Sequence, residues 1–272
     1  MKLGLSSYMY RWAVGTPNFQ PPRPLRLAEM VKDVAGLGCS LLQIADSNEL
    51  VAMSKAELKG LLDLATNHGV RLQLGTTGAT AARLDAYLAM AIELRSDIVR
   101  LVLYSPDIDP APSLFRDTLA AAAPAYAAAG VTIAVENYFL QASEDLAALM
   151  DQVNSPAVGV CLDTANSIIA QEWPMETVSI LAPYARNVHV KDYRLIPHPD
   201  GTGGHVVGAP FGEGRLDIEA LRGALRQIDR DGMAVILEQW CPRGADEEST
   251  IQLETSWRQQ GFRVAAQRLG FN

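Results

Sequence analysis

The chain has 272 residues, of which 49% are hydrophobic and 20% charged, and its formal net charge at pH 7 is −8. This composition is typical of a globular protein with a large core, and the acidic balance argues against nucleic-acid binding, which normally requires a basic surface. We find no signal-peptide pattern and no apolar run approaching about 18 residues, so we expect a cytoplasmic protein with no membrane partner. The three cysteines lack C-x-x-C spacing and are typical of reduced thiols.

Short β-like segments alternate with helical segments along the whole chain. The predicted strands are 3–8, 40–46, 70–76, 97–104, 131–137, 157–163, 187–192 and 234–240. The clearest helical segments between them are 25–38, 54–69, 114–130 and 216–232. Such alternation predicts parallel strands joined by crossover helices. Eight evenly spaced strands favour an α/β fold made of a single (β/α)8 TIM barrel over residues 1–272, with a doubly wound sheet as the alternative.

Local signals add detail to this prediction. Ser54 and Glu57 have the spacing of a capping box, and Gly69 follows the same helix where a C-terminal stop is expected. Two predicted connections, 11–24 and 195–214, are unusually long. Both follow the C-terminal end of a strand, where barrel enzymes build their sites. The glycine-rich second connection is therefore a candidate lid, the alternative being a tolerated surface insertion.

Four consecutive strands place a polar side chain near their C-terminal ends. In 187–192, Val188 and Val190 point to one face of the strand, while His189 and Lys191 point to the other. The same alternation in the neighbouring strands separates apolar residues from one acidic residue each. The strand-end residues of this kind are Glu136, Asp163, His189 and Glu238.

Consecutive strands of a barrel are neighbours, so these side chains should converge near the barrel axis. Three carboxylates in one place repel each other and raise one another's pKa, and a divalent cation removes this penalty. An oxygen-rich ligand set with one imidazole suits Mn²⁺, which we prefer, as well as Mg²⁺, Co²⁺ or Zn²⁺. The alternative is that each polar group lies at a solvated strand terminus, an explanation that four consecutive strands disfavour.

The segments "VEN", "LDTAN", "HVKD", "GEGRLDI" and "LEQW" occur in the order of the strand-end motifs of the sugar phosphate isomerase/epimerase superfamily. The chain resembles this superfamily, whose barrel is like that of xylose isomerase, over essentially its full length. The resemblance implies that Glu136, Asp163, His189 and Glu238 bind a catalytic divalent metal ion. It also implies that Glu136 and Glu238 act as the acid/base pair on opposite sides of a substrate carbon.

Two positions differ from the ketose 3-epimerases of this superfamily. Those enzymes usually have a histidine three residues after the strand-six aspartate, where this chain has Asn166. Their arginine follows the strand-seven histidine by six residues, whereas Arg194 follows His189 by five. These differences weaken the expectation of ketose 3-epimerisation but leave the metal site unaffected. Inosose dehydratases and decarboxylases of 3-oxo sugar acids share the same barrel.

We therefore expect a divalent-metal-dependent isomerase or epimerase of a small sugar or keto-sugar, which transfers a proton through a metal-stabilised enediolate. The alternative is a lyase, either a decarboxylase or a dehydratase, that acts on a 3-oxo sugar or sugar acid. A non-catalytic sugar-binding barrel would predict an incomplete ligand set, and a metal nuclease would predict more histidines and a basic groove. Barrels of this kind often form dimers or tetramers, so a homo-oligomer is compatible with the sequence.

Further polar and aromatic residues near the strand ends are candidates for substrate contact. Lys191 would hold a substrate oxygen or carboxylate, or else act as a buried ion-pair partner. Asn137 and Asn166 would bind hydroxyl groups or cap the helices that follow. Trp12 would form an apolar wall of the pocket or simply pack, and Gln43 is more typical of a structural role. The full set of substrate-binding candidates is Lys191, Asn166, Asn137, Arg194, Gln43 and Trp12.

Overall fold

The structure, a computed structural model, describes residues 1–104, 112–139, 141–228 and 232–271. Its strands in chain order are β1 (Lys2–Ser6), β2 (Leu41–Ala45), β3 (Arg71–Thr77), β4 (Ile98–Val102), β5 (Thr132–Glu136), β6 (Val158–Asp163), β7 (Ala185–Val190), β8 (Asp192–Pro197), β9 (Gly204–Ala209) and β10 (Ala234–Leu237). Strands β1 to β7 and β10 are parallel neighbours that close into a barrel, in which β10 lies between β7 and β1. The predicted (β/α)8 barrel is therefore confirmed.

Helices cover the outside of this barrel, and the short first helix lies at its mouth. They are α1 (Arg11–Val14), α2 (Leu27–Gly36), α3 (Asn48–Val51), α4 (Lys55–Asn67), α5 (Ala81–Leu94), α6 (Pro112–Ala129), α7 (Ser143–Val153), α8 (Pro174–Leu181), α9 (Ile218–Ile228) and α10 (Glu247–Leu269). Short 3₁₀ turns occupy Ser7–Tyr10, Asn166–Ile168 and Ala182–Tyr184. None of the helices that the structure describes is both long enough and apolar enough to cross a membrane.

The predicted element boundaries agree with the structure to within three residues for every barrel strand. The capping box of α4 is present, because Ser54 Oγ accepts the Glu57 N–H and the Glu57 carboxylate accepts the Ser54 N–H. Gly69, just past this helix, has φ +69°, the left-handed conformation that glycine adopts at helix ends. These local signals therefore marked the helix correctly.

The apolar residues of the strands divide between two faces, as the alternation predicts. Val188 and Val190 belong to the main core between the barrel and its helices, and both are fully buried. The barrel interior contains smaller apolar groups, one of which includes Cys161 and Ala134. Polar side chains also lie in the interior, where Asn187 is level with Cys161 and His189 is level with Asp163, nearer the C-terminal ends of the strands.

The predicted loop 195–214 is in fact partly a β-hairpin. Strands β8 and β9 pair antiparallel, with Leu195 opposite Val206, because both segments carry β-branched or apolar residues that favour pairing. Its base is held by Asp192, whose carboxylate accepts the N–H groups of Gly212 and Gly214 at 2.9 and 2.8 Å. A Cβ atom at Gly214 would overlap this carboxylate, so only glycine fits there.

Candidate metal centre

Four strand ends bring their polar side chains to one point at the barrel mouth. Each of the four predicted ligands offers one atom, and these atoms all lie within 4.8 Å of one another. Glu136 ends β5, Asp163 ends β6 and is paired in the sheet with His189 of β7, and Glu238 directly follows β10. The structure therefore brings together Glu136, Asp163, His189 and Glu238, all of them buried.

The geometry of this cluster fits a cation. His189 Nδ1 lies 3.3 Å from Glu238 Oε1, 3.5 Å from Glu136 Oε2 and 3.9 Å from Asp163 Oδ2. Among the described residues, His189 Nδ1 and Glu238 Oε1 are buried without a hydrogen-bond partner, and Asp163 Oδ2, which faces them, contacts Lys191 Nζ at 2.8 Å. Leaving buried polar atoms unsatisfied costs about 1–3 kcal/mol each. One cation bound between these two atoms and Asp163 Oδ2 would satisfy both, so the residues present fit the expected metal ion.

A second group of possible ligands, Glu136, Cys161 and His189, shares two residues with the first. Its thiol is the weaker candidate, because burial raises the pKa of Cys161 to about 11, so the sulfur remains protonated. The same thiol donates to Asn187 Oδ1 at 3.4 Å. We therefore regard the four-residue set as the candidate metal centre.

Two buried cations balance the carboxylates. Arg100 Nε donates to Glu136 Oε2, and its Nη1 donates to Asp46 Oδ2 at 3.0 Å. Burial alone would raise the pKa of Glu136, but the Arg100 guanidinium holds it well below the usual range. Lys191 Nζ forms ion pairs with Asp163 Oδ2 at 2.8 Å and with Glu238 Oε2 at 2.7 Å. The site thus contains strong countercharges of its own.

The three carboxylates do not titrate alike. Burial and the neighbouring carboxylates raise the pKa of Asp163 despite its contact with Lys191. Burial also opposes ionisation of Glu238, but His189 and Lys191 together lower its pKa. The repulsion predicted for clustered carboxylates is therefore concentrated on Asp163.

A cavity of about 340 Å³ opens directly above the cluster. Phe139 and Trp240 line one side, with ring centroids 6.1 Å apart, and Lys191 Nζ lies 5.2 Å from the centre of the Trp240 ring. Tyr8 and Arg11 line another side. A pocket of this volume, with an apolar wall and a few convergent polar groups, suits a small ligand.

Three of the predicted substrate-binding residues line this cavity, namely Lys191, Asn166 and Trp12. Asn166 Nδ2 donates to Glu136 Oε1 at 2.7 Å, and its Oδ1 accepts from Lys191 Nζ at 3.3 Å. The indole N–H of Trp12 donates to the Cys241 carbonyl at 2.9 Å, which fixes the ring in the wall.

The other three predicted substrate-binding residues lie elsewhere. Asn137 is buried and holds the backbone of Asp163, whose N–H it accepts at 2.7 Å. Gln43 is buried below the cluster, with Oε1 2.7 Å from His189 Nε2. Arg194 lies on β8 with its side chain 47% exposed, and it faces Glu213 instead of the cavity, because the hairpin lies outside the barrel.

Several cavity residues were not predicted from the sequence. Tyr8, Arg11 and Phe139 follow the strands β1 and β5, so the strand-end rule applied to every strand would have found them. Glu254 also lines the cavity, but it comes from α10. No local pattern distinguishes this glutamate from the exposed acidic residues of the same helix.

Comparison with known proteins agrees with this architecture. Residues 31–260 match the family described as the xylose isomerase-like TIM barrel. The chain is 33% identical to the 3-oxo-isoapionate decarboxylase of Pectobacterium atrosepticum over 261 residues, which cover 94% of this chain and 92% of the relative.

Solved structures show the same fold at lower identity. D-Psicose 3-epimerase from Clostridium cellulolyticum H10, solved with D-tagatose, superposes with a TM-score of 0.76 at 18% identity over 99% of both chains. A xylose isomerase-like TIM barrel protein from Mycobacterium smegmatis, in complex with magnesium, gives a TM-score of 0.73 at 16% identity and covers 98% of this chain and 97% of that chain. The family match and the relative similar along nearly the whole chain show that this protein belongs to the xylose isomerase-like TIM barrel family.

Proposed function

We propose that the protein is a divalent-metal-dependent decarboxylase of a small 3-oxo sugar acid. One observation carries this choice over isomerisation. Both carboxylate oxygens of Glu136 are occupied, Oε2 by Arg100 and Oε1 by Asn166. Glu238 Oε1 faces His189 Nδ1 in the candidate metal centre and its Oε2 is paired with Lys191, so neither glutamate is free to remove a proton.

Isomerisation and epimerisation need one group to remove a proton and another to return it. Decarboxylation needs only one group that delivers a proton, because the electrons for the new carbon–hydrogen bond come from the carbon–carbon bond that breaks. Glu136 already accepts hydrogen bonds from Arg100 and Asn166. The site therefore favours the reaction that needs a single proton transfer. The sequence placed isomerisation first, and the contacts of Glu136 support our preference for decarboxylation.

The relative in Pectobacterium atrosepticum supports the same choice, because its name specifies decarboxylation of a 3-oxo acid and it is 33% identical along nearly the whole chain. Asn166 in place of a histidine also separates this chain from the pattern expected of ketose 3-epimerases. Epimerisation of a keto-sugar is the second candidate, since Glu136 and Glu238 both line the cavity.

The residues that would hold the metal ion are Glu136, Asp163, His189 and Glu238. When bound, a divalent ion supplies a Lewis acid that polarises the substrate oxo group and stabilises the negative charge that develops there. Three carboxylates with one imidazole favour Mn²⁺ or Mg²⁺ over softer ions, and Mn²⁺ is our choice.

The side chains around the cavity would carry out the remaining steps. Arg11 and Lys191 offer positive charge to an acidic substrate. The bond between the carboxyl carbon and its neighbour breaks, carbon dioxide leaves, and the electron pair remains on the substrate. Lys191 Nζ, paired with Glu238 Oε2 at 2.7 Å, delivers a proton to the carbon that lost the carboxyl group. Phe139 and Trp240 keep water away from this side of the cavity.

The test is to incubate the Mn²⁺-loaded protein with short-chain 3-oxo sugar acids and, separately, with 3-keto sugars in D₂O. We expect release of carbon dioxide and a product that carries one deuterium at the new carbon–hydrogen bond. Lys191→Met should abolish turnover, while Lys59→Met, which removes an exposed lysine paired with Asp63, should not. A product that keeps all the carbon atoms of its substrate, or full turnover by Lys191→Met, would refute the proposal.

A further inference from the structure

Three amide side chains form a hydrogen-bonded group inside the barrel, below the candidate metal centre. We name Gln43 of β2, Gln73 of β3 and Asn187 of β7 the amide cluster, and all three are buried. Gln43 Nε2 donates to Gln73 Oε1 at 3.3 Å and to Asn187 Oδ1 at 3.2 Å. Asn187 Nδ2 donates to Gln73 Oε1 at 3.1 Å. Buried amides bonded in this way cannot rotate independently, because turning one of them over would place two oxygens or two NH₂ groups against each other.

A carboxylate at the N-terminal end of the barrel sets the direction of the amide cluster. Gln73 Nε2 donates to Asp97 Oδ1 at 3.1 Å, and Asp97 Oδ2 faces Arg71 at 3.4 Å. An ionised carboxylate only accepts hydrogen bonds, so Gln73 must turn its NH₂ group towards Asp97 and its Oε1 towards the cluster. Gln43 must then turn its own NH₂ group towards Gln73 Oε1, because the amide oxygen of Gln43 would repel that atom.

This orientation leaves Gln43 Oε1 pointing at the imidazole, 2.7 Å from His189 Nε2. An amide oxygen only accepts, so Nε2 must carry a hydrogen, and Nδ1 is then the ring atom that can offer a lone pair. Nδ1 is also the ring atom that faces Glu136, Asp163 and Glu238. Gln43 Oε1 on one side of the His189 ring and the carboxylates on the other side therefore require the same tautomer, in which the hydrogen is on Nε2.

We propose that Gln43 is a positioning residue that fixes the metal-binding tautomer and ring orientation of His189, and that Asp97, acting through Gln73, fixes the orientation of Gln43. The inference rests on the metal centre of the proposed function but not on the reaction that follows. It assigns Gln43 a role beside the metal ligand instead of the substrate contact expected from the sequence. It also connects a partly exposed residue at the closed end of the barrel to the metal site.

The test compares the wild-type protein with Gln43→Met and Asp97→Asn, and uses Asp63→Asn, at an exposed aspartate, as the matched control. Titration with Mn²⁺ alone gives the metal affinity. We expect Gln43→Met to weaken binding about 10- to 100-fold, the usual effect of losing a residue that orients a metal ligand. Asp97→Asn should weaken binding less, because an asparagine can donate as well as accept and no longer enforces one amide orientation. Asp63→Asn should bind like the wild-type protein.

A second measurement reports on the protonation of the His189 ring itself. Nitrogen-15 spectra of the Zn²⁺-loaded protein report which ring nitrogen of His189 carries the hydrogen, and the chain has four histidines, so replacement of the others assigns the signals. We expect a protonated Nε2 in the wild-type protein and shifted or split signals in both variants. A purely structural role would lower stability without moving these signals.

The possible results distinguish a failure of the metal centre from a failure of the role assigned to Gln43. If the wild-type protein binds no Mn²⁺, the metal centre of the proposed function is wrong. If it binds and a folded Gln43→Met shows the same affinity and the same ring signals, the role of Gln43 is wrong. Should Gln43→Met fail to fold, Asp97→Asn decides, and affinity and ring signals equal to those of Asp63→Asn would overturn the proposal.

Discussion

Glu254 gives the protein a pH-dependent stability whose sign and size follow from its contacts. This carboxylate is fully buried and accepts the backbone N–H groups of Trp12 and Ala13 at 2.7 and 3.0 Å. Burial raises its pKa from 4.5 to about 7, although these N–H groups and Arg258 lower it in part. Because Trp12 lines the cavity, Glu254 connects α10 to the wall of the candidate site.

The folded protein holds the Glu254 proton more tightly than the unfolded chain between pH about 4.5 and about 7. Its contribution to the free energy of unfolding is therefore fully present below pH about 4.5 and is lost as the pH rises through about 7. A pKa shift of this size corresponds to about 3 kcal/mol. Glu254→Gln does not titrate, so the unfolding free energy of the wild-type protein minus that of the variant should fall by about 3 kcal/mol over this range.

Urea unfolding of both proteins at a series of pH values measures this difference. Glu248→Gln, at an exposed position of the same helix, controls for the loss of one negative charge and should follow the wild-type curve. Parallel stability curves for the wild-type protein and Glu254→Gln would mean that the buried carboxylate keeps its ordinary pKa, and the predicted pH dependence would then be wrong.

Three further outcomes are expected. Adding Mn²⁺ at about 100 times its dissociation constant should stabilise the chelator-treated protein by about 2.7 kcal/mol, and an unchanged melting temperature would count against a metal site. Gly214→Ala should lower the unfolding free energy by about 1–3 kcal/mol in urea, because its Cβ would overlap the Asp192 carboxylate, and a neutral result would contradict this packing. Arg100→Met should cost about 3–5 kcal/mol in the metal-free protein by leaving Glu136 without its buried partner, and the loss should shrink when Mn²⁺ is present. Equal losses with and without the metal would show that Glu136 does not face the ion.

The four residues of the candidate metal centre could be predicted because their positions follow from the side-chain pattern of each strand. A strand has a side-chain period of two, and consecutive strands of a closed barrel are neighbours, so alternation alone selects the inward-facing residues. The family match confirms the predicted xylose isomerase-like family, and the sheet topology confirms the predicted (β/α)8 barrel. The extent of the domain, the manganese and the cytoplasmic location stay predictions.

The sequence could not reveal features that depend on how deep a side chain lies in the barrel or on contacts between distant segments. Alternation puts Gln43 inside the barrel, but its level below His189 is set by the stagger between strands, which no single segment encodes. Arg194 appeared to be near the end of a barrel strand, yet it belongs to the β8–β9 hairpin, whose formation requires two segments to find each other. Glu254 reaches the site from the last helix, and only the assembled fold brings it there.

The most direct test of the metal centre is an anomalous diffraction measurement on crystals soaked in MnCl₂. We predict one strong manganese peak bounded by Glu136, Asp163, His189 and Glu238, with His189 Nδ1 as the coordinating ring atom. Well-ordered density for these four side chains without a manganese peak between them would contradict the account.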